Sequence, residues 1–204
     1  MLHPFPDEFG APVPIRQPSR PTPAATWTDP DALATVVPGG PLPAQLNGIA
    51  FAPAPCPPVC VALLPEPPFT LPDGYRAAAG AVIVEPDGRI WLVAPTNAFG
   101  GYAATFPKGR VDPGAALAAT CVREAWEEAG LVIEPTAHLA DVRRTQTYTR
   151  YYLARRVGGT PAAMGWETQA VHLVPAALLA SVAVHPNDAA VIAALRLALG
   201  LAIG

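Results

Sequence analysis

The chain has 204 residues, 51% of them hydrophobic, and carries a net charge of −3 with a pI near 5.8. That length suits one domain with a sizeable core plus an extension. The acidic balance argues against a nucleic-acid-binding stripe or a polybasic membrane anchor, although the few cations could still hold a phosphate-rich small molecule. Cys56, Cys60 and Cys121 form an odd set. They read as buried thiols of a reducing compartment, with a Cys56–Cys60 pair or metal site as the alternative. The start, Met1-Leu2-His3-Pro4, has neither a basic stretch nor an apolar core, and the apolar run over residues 189–204 is short for a span and contains Arg196. The expectation is a cytoplasmic protein with no membrane segment.

Residues 1–73 stand apart, holding 19 of the 27 prolines and few charges. Proline at that density predicts turns, extended pieces and one short helix over residues 29–37. Disorder is the usual reading of such composition, but Trp27, Leu33, Val36, Val37, Leu46, Ile49, Phe51 and the run 59–64 supply too much apolar surface for it. A lid, an arm on the core, a contact in a homodimer and a floppy tail all stay open. Residues 74–204 then form the main domain. A strand over 77–84, a turn at Glu85-Pro86-Asp87-Gly88 and a returning strand over 89–94 are predicted. A loop over 95–101 and a short extended piece over 102–106 follow. Further strands are expected over 132–134, 139–144, 147–155 and 170–174, and helices over 175–181 and 186–199. Strands interleaved with helices predict an α/β/α sandwich around a mixed sheet.

The segment from Gly109 to Leu131 organises the chain. It opens on a glycine turn, passes through an alanine-rich helix and stops at Gly130. Asp112 suits the helix cap, Pro113 its first turn, and Gly130 the position just past its end. At about 100° per residue, Glu127 lies roughly 60° to one side of Glu124 and Glu128 roughly 40° to the other. Three carboxylates therefore share one face, while Ala118, Val122, Ala125, Trp126 and Ala129 form a separate apolar arc. Like charges at this spacing cost roughly 0.2–0.5 kcal/mol per pair at a solvated surface. In a cleft they call for a cation, and an oxygen-only set suits Mg²⁺ or Mn²⁺. A bare run of this kind also fits an ordinary acidic helix face.

The whole spaced pattern resembles the Nudix hydrolase family. Its motif runs Gly, five residues, Glu, seven residues, Arg-Glu, an apolar residue, any residue, Glu-Glu, any residue, Gly and an apolar residue. Gly109, Arg123, Glu124, Ala125, Glu127, Glu128, Gly130 and Leu131 fall in register, preceded by Phe106-Pro107-Lys108. One position departs: Ala115 stands where the family has its first Glu. By resemblance Arg123 loses a partner there, which Asp112 or Glu127 could replace; weakened support or altered activity is expected, with a catalytically dead protein as the alternative.

The resemblance implies Mg²⁺-dependent (or Mn²⁺-dependent) hydrolysis of a nucleoside diphosphate linked to another group, on the same α/β/α fold. It assigns Glu124, Glu127, Glu128 and the Gly109 carbonyl as metal ligands, with Arg123 orienting the carboxylates. Lys108 and Arg110 flank the turn, where each either contacts phosphate or is merely solvated. Glu167, in Gly-Trp-Glu-Thr-Gln before the last strand, is the favoured general base, and Trp166 beside it either stacks on a base or fills the core. Relatives that cleave diadenosine polyphosphates carry a tyrosine at about the distance past the motif where Tyr148 stands. Relatives that cleave ADP-ribose carry a proline where this chain has Gln146 and Thr147. The lean is to dinucleoside polyphosphates, with ADP-ribose or a nucleotide sugar as the alternative. A nucleotide-binding module without turnover is the competing class.

Overall fold

The computed structural model describes residues 1–57 and 64–200. After a single 3-10 turn at Ala24–Thr28, β1 (Ala34–Val36), β2 (Gln45–Leu46) and β3 (Ile49–Ala50) lie in the proline-rich part. β4 (Arg76–Ile83), β5 (Ile90–Pro95), β6 (Lys108–Arg110) and α1 (Leu117–Ala129) follow, then β7 (Leu131–Arg143), β8 (Thr147–Gly159) and β9 (Thr168–Val174). α2 (Leu179–Val182) and α3 (Pro186–Ala198) close the chain.

The central sheet has the order β6-β4-β8-β7, with β4 and β8 parallel and the other pairs antiparallel. A second sheet, β1-β9-β5, is antiparallel throughout. Side chains alternate between two cores, as strand geometry requires. Ala79, Ala81 and Ile83 of β4, with Tyr152 and Ala154 of β8, face Cys121, Val122, Ala125 and Ala129 of α1. Val82, Tyr151 and Leu92 face Val191, Ile192 and Leu195 of α3. Helices thus cover both faces, as the sandwich predicted.

Several local expectations are corrected. Residues 29–37 form a turn and then β1 rather than a helix, because Thr35 and Val36 find ladder partners in His172 and Val171. The predicted hairpin of β4 and β5 is absent; beyond the Val84–Ile90 bridge the two strands separate into different sheets. Both are apolar on both faces, so each is better covered inside its own sheet. The two strands expected over 132–144 are one, β7, whose register shifts around Pro135, which has no N–H to donate. The helix also starts later than predicted, at Leu117 with Ala116 as its uncapped N-cap. Gly114, at φ 82°, turns the chain away from helix, and the Asp112 backbone carbonyl accepts from the Ala115 N–H in that turn.

The described part of the proline-rich segment packs on the core. Trp27 is fully buried, with its ring 5.9 Å from that of Trp91 and 6.0 Å from that of Phe51. Arg89 donates to the Trp27 and Asp29 carbonyls. A buried pair, Arg156–Glu85 at 2.5 Å, is completed by Trp91 Nε1 and Asn47 Nδ2, both donating to Glu85, and by the Leu46 carbonyl, which accepts from Arg156. Of the cysteines, Cys121 is buried as expected, but Cys56 is exposed on the proline-rich loop; Cys60 and most of the run 59–64 lie outside the described residues. Among the described residues, no helix is long and apolar enough to cross a membrane.

Candidate active site

The first wall of the site is α1. Its C-terminus is set by Gly130, whose left-handed φ of 66° lets its N–H close on Trp126 while its carbonyl accepts from Thr160. One turn earlier, the Glu127 carbonyl accepts from the N–H of Gly165, so the loop carrying Glu167 is clamped to the helix. β6 forms the second wall. The Lys108 N–H donates to Glu128 Oε2 at 2.8 Å, and Gly109 lies against Glu124. A Cβ on Gly109 would overlap the Glu124 carboxyl carbon and both its oxygens, so only a bare backbone leaves room for that carboxylate.

Arg123 lies along the same face. It is 2.7 Å from Glu124, 2.5 Å from Glu127 and 3.4 Å from Asp112, and it donates to the Arg110 carbonyl. Asp112 and Glu127 therefore do take over as partners where Ala115 offers none. Burial alone would lower the Arg123 guanidinium, but Glu124, Glu127 and Asp112 more than offset it and hold it above its ordinary range. Because the guanidinium is already occupied, Ala115→Glu should change stability by less than about 0.5 kcal/mol, the range of an exposed ion pair. Thermal denaturation of the two proteins side by side checks this, and a melting point several degrees higher would show that Arg123 lacks a partner after all.

Burial pushes the Glu124 carboxyl up to about 8, with Glu128 adding to the rise and Arg123 opposing it. Burial likewise lifts Glu128 to about 7 against the pull of Lys108. Glu167 is raised by desolvation and by Glu127, with Lys108 opposing. Four carboxylates thus feel one another across the helix and the clamped loop. Among the described residues no three acidic, histidine or cysteine side chains converge on a single point, since Arg123 holds Glu124 and Glu127. The donor set nevertheless fits a hard divalent cation: it is all oxygen, its negative charge is incompletely compensated, and a glycine makes room beside its most buried member.

Next to this cluster opens a cleft of about 400 Å³. Lys108, Gly109 and Arg110 of β6 form one side of it; Phe99, Tyr102, Arg144 and Asn187 stand among its other lining residues. Lys108 and Arg110 both line this cleft. Tyr148 does not line this cleft. Its ring stacks on Phe69 at 5.3 Å, and its neighbour Thr147 takes the lining position. Trp166 does not line it either; its carbonyl accepts from Thr96. Tyr102, Arg144 and Asn187 were not singled out from sequence. They come from three separate elements, and no spacing rule links them.

The profile of the NUDIX domain matches residues 74–195, more than half of the chain. The chain belongs to the NUDIX domain family. Among curated proteins it is similar to RNA pyrophosphohydrolase of Caulobacter vibrioides, 32% identical over 96 residues, which is 47% of this chain and 53% of that protein. The chain thus matches about half the length of that relative. Among solved structures, a binary complex of the C. elegans Ap4A hydrolase aligns with a TM-score of 0.50 at 20% identity, covering 61% of this chain and 98% of that one. An ADP-ribose pyrophosphatase from Streptococcus suis aligns at 0.44 with 24% identity over 50% of this chain and 75% of that one. The NUDIX motif accounts for residues 109–131, and the structural likeness to the first neighbour agrees with the α/β sandwich.

Proposed function

We propose that this NUDIX protein is a divalent-metal-dependent pyrophosphohydrolase. Its substrate would be a nucleoside diphosphate joined to another group, whether a dinucleoside polyphosphate, ADP-ribose or a nucleotide sugar, since Tyr148, on which a preference among them rested, lies outside the cleft. The observation that carries this reading is the Glu124 carboxylate seated against Gly109, beside Glu127, Glu128 and Glu167 and at the edge of a cleft with Lys108 and Arg110. Glu124, Glu127, Glu128 and the Gly109 carbonyl would hold Mg²⁺ or Mn²⁺. Such a cation, when bound, supplies charge neutralisation on the diphosphate and a more acidic water. Lys108 and Arg110 orient the phosphates by charge-assisted hydrogen bonds. Glu167 is poised to take a proton from the attacking water, since a carboxyl raised toward neutrality is a better base than an ordinary one. Arg123 keeps the acidic side chains aligned on one face.

Arg123 also supports a second reading. Its guanidinium spans Glu124 and Glu127, so a protein that retains those pairs would bind a nucleotide without turning it over. A panel of dinucleoside polyphosphates, ADP-ribose and nucleotide sugars, assayed with Mg²⁺ or Mn²⁺ beside Glu127→Gln, separates the two. Turnover is expected for the unmodified protein and a loss of about a hundredfold or more for Glu127→Gln with its melting point retained. Equal rates for both would sink the site assignment, and tight binding without turnover under either metal would establish the module.

A further inference from the structure

Beneath the cleft lies a polar network that the hydrolytic reading does not use. Asp188, fully buried at the start of α3, accepts from Thr105 Oγ1 at 3.1 Å and from Arg144 Nη1 at 2.8 Å. Arg144, itself only 6% exposed, also donates from Nη1 to the Tyr151 hydroxyl at 2.7 Å. Its Nη2 reaches upward to the Tyr102 hydroxyl at 2.8 Å. Asn187 Nδ2 donates to that same oxygen at 2.7 Å. The Tyr102 ring is held from the side by His185, stacked at 3.9 Å with an interplanar angle of 27°.

A phenol has one proton to give and oxygen lone pairs with which to accept. Here two fixed donors occupy the oxygen, and among the described residues no acceptor takes its proton. The ring lines the cleft, so that proton is offered to whatever fills it. Phe99, on the same wall, is 82% exposed and presents a flat apolar ring with room for a base. The cations Lys108 and Arg110 flank Gly109, with the Lys108 ammonium 5.6 Å from the centre of the Tyr102 ring, so a diphosphate held by them would lead to a nucleoside seated on the wall of Phe99 and Tyr102.

We propose that Tyr102 is a substrate-binding residue that donates a hydrogen bond from its hydroxyl to an acceptor on the nucleoside half of the substrate, with Arg144 and Asn187 as its positioning residues. The inference rests on the nucleotide reading of the cleft and assigns the part of the substrate that meets each wall. Tyr102→Phe keeps the ring against His185 and removes only the oxygen. Both proteins would be titrated with ADP, GDP, UDP and CDP and, separately, with inorganic tripolyphosphate, all in Mg²⁺. Tyr102→Phe should weaken the best-bound nucleoside diphosphate about tenfold, as the loss of one desolvated hydrogen bond does, and leave tripolyphosphate binding unchanged. The unchanged tripolyphosphate arm also shows that the variant is folded. An equal loss on tripolyphosphate would place the hydroxyl on a phosphate and overturn the nucleoside assignment, and unaltered affinity for every probe would overturn the contact itself. If the unmodified protein binds tripolyphosphate but no nucleotide better, the nucleotide reading falls along with it, a result distinct from a silent Tyr102→Phe.

Discussion

Gly109→Ala should abolish most of the turnover of this protein and leave its fold in place. The added methyl meets the Glu124 carboxyl group and no backbone atom among its nearest neighbours, so the structure yields by expelling the end of one flexible side chain. The backbone at Gly109 is in the ordinary range for any residue, so the substitution brings no φ penalty. The expected change in stability is therefore small, about 1 kcal/mol. Catalysis is less forgiving. Displacing a positioned group by about 1 Å costs on the order of a hundredfold in rate, and here the displaced group is the most buried carboxylate of the cluster. Moving Glu124 would also break its 2.7 Å contact with Arg123 and so disturb Glu127, the other carboxylate that Arg123 grips. Rates measured on the best substrate of the panel, together with a melting curve, check both halves. A variant with wild-type rates would mean that the seat of Glu124 on Gly109 is irrelevant to the chemistry, and one that does not fold would mean that the seat is structural.

Arg156→Met should cost about 3–5 kcal/mol, because it leaves the Glu85 carboxylate fully buried with its counter-ion removed. For a chain of this size that corresponds to a melting point lower by roughly 10 °C. The loss is not confined to the pair. Arg156 also donates to the Leu46 carbonyl and lies 4.8 Å over the Phe51 ring, so it ties β2, β3 and the segment after them to β8. Residues 44–55 should become sensitive to protease in the variant while the central sheet stays protected. Replacing both partners, Arg156→Met with Glu85→Leu, should recover most of the stability, since no charge is then left without a partner. If Arg156→Met melts with the unmodified protein, the proline-rich segment is held by its apolar contacts alone. Those contacts centre on Trp27, Trp91 and Phe51.

The amino-acid sequence by itself determined the family, the acidic helix and the two-sided packing of the domain. The reason is that these depend on short-range spacing. Residues three and four apart on a helix must share a face, Gly130 must end that helix, and strands that are apolar on both sides must be covered on both. The helix start was misread for an equally local reason: Asp112 and Pro113 look like a cap, and the left-handed Gly114 that cancels them is one residue in a run of small ones. Sheet membership was beyond the same reasoning. β4 and β5 read as a hairpin through their turn, yet each has better partners far along the chain, in β8 and β9. Only the tertiary structure decided that the proline-rich segment belongs to the core, because its turns look alike whether or not Trp27 and Arg156 find partners. It alone decided the cleft as well: Tyr102, Arg144 and Asn187 meet from a loop, a strand end and a helix start, brought together by a buried Asp188 that no local pattern announces.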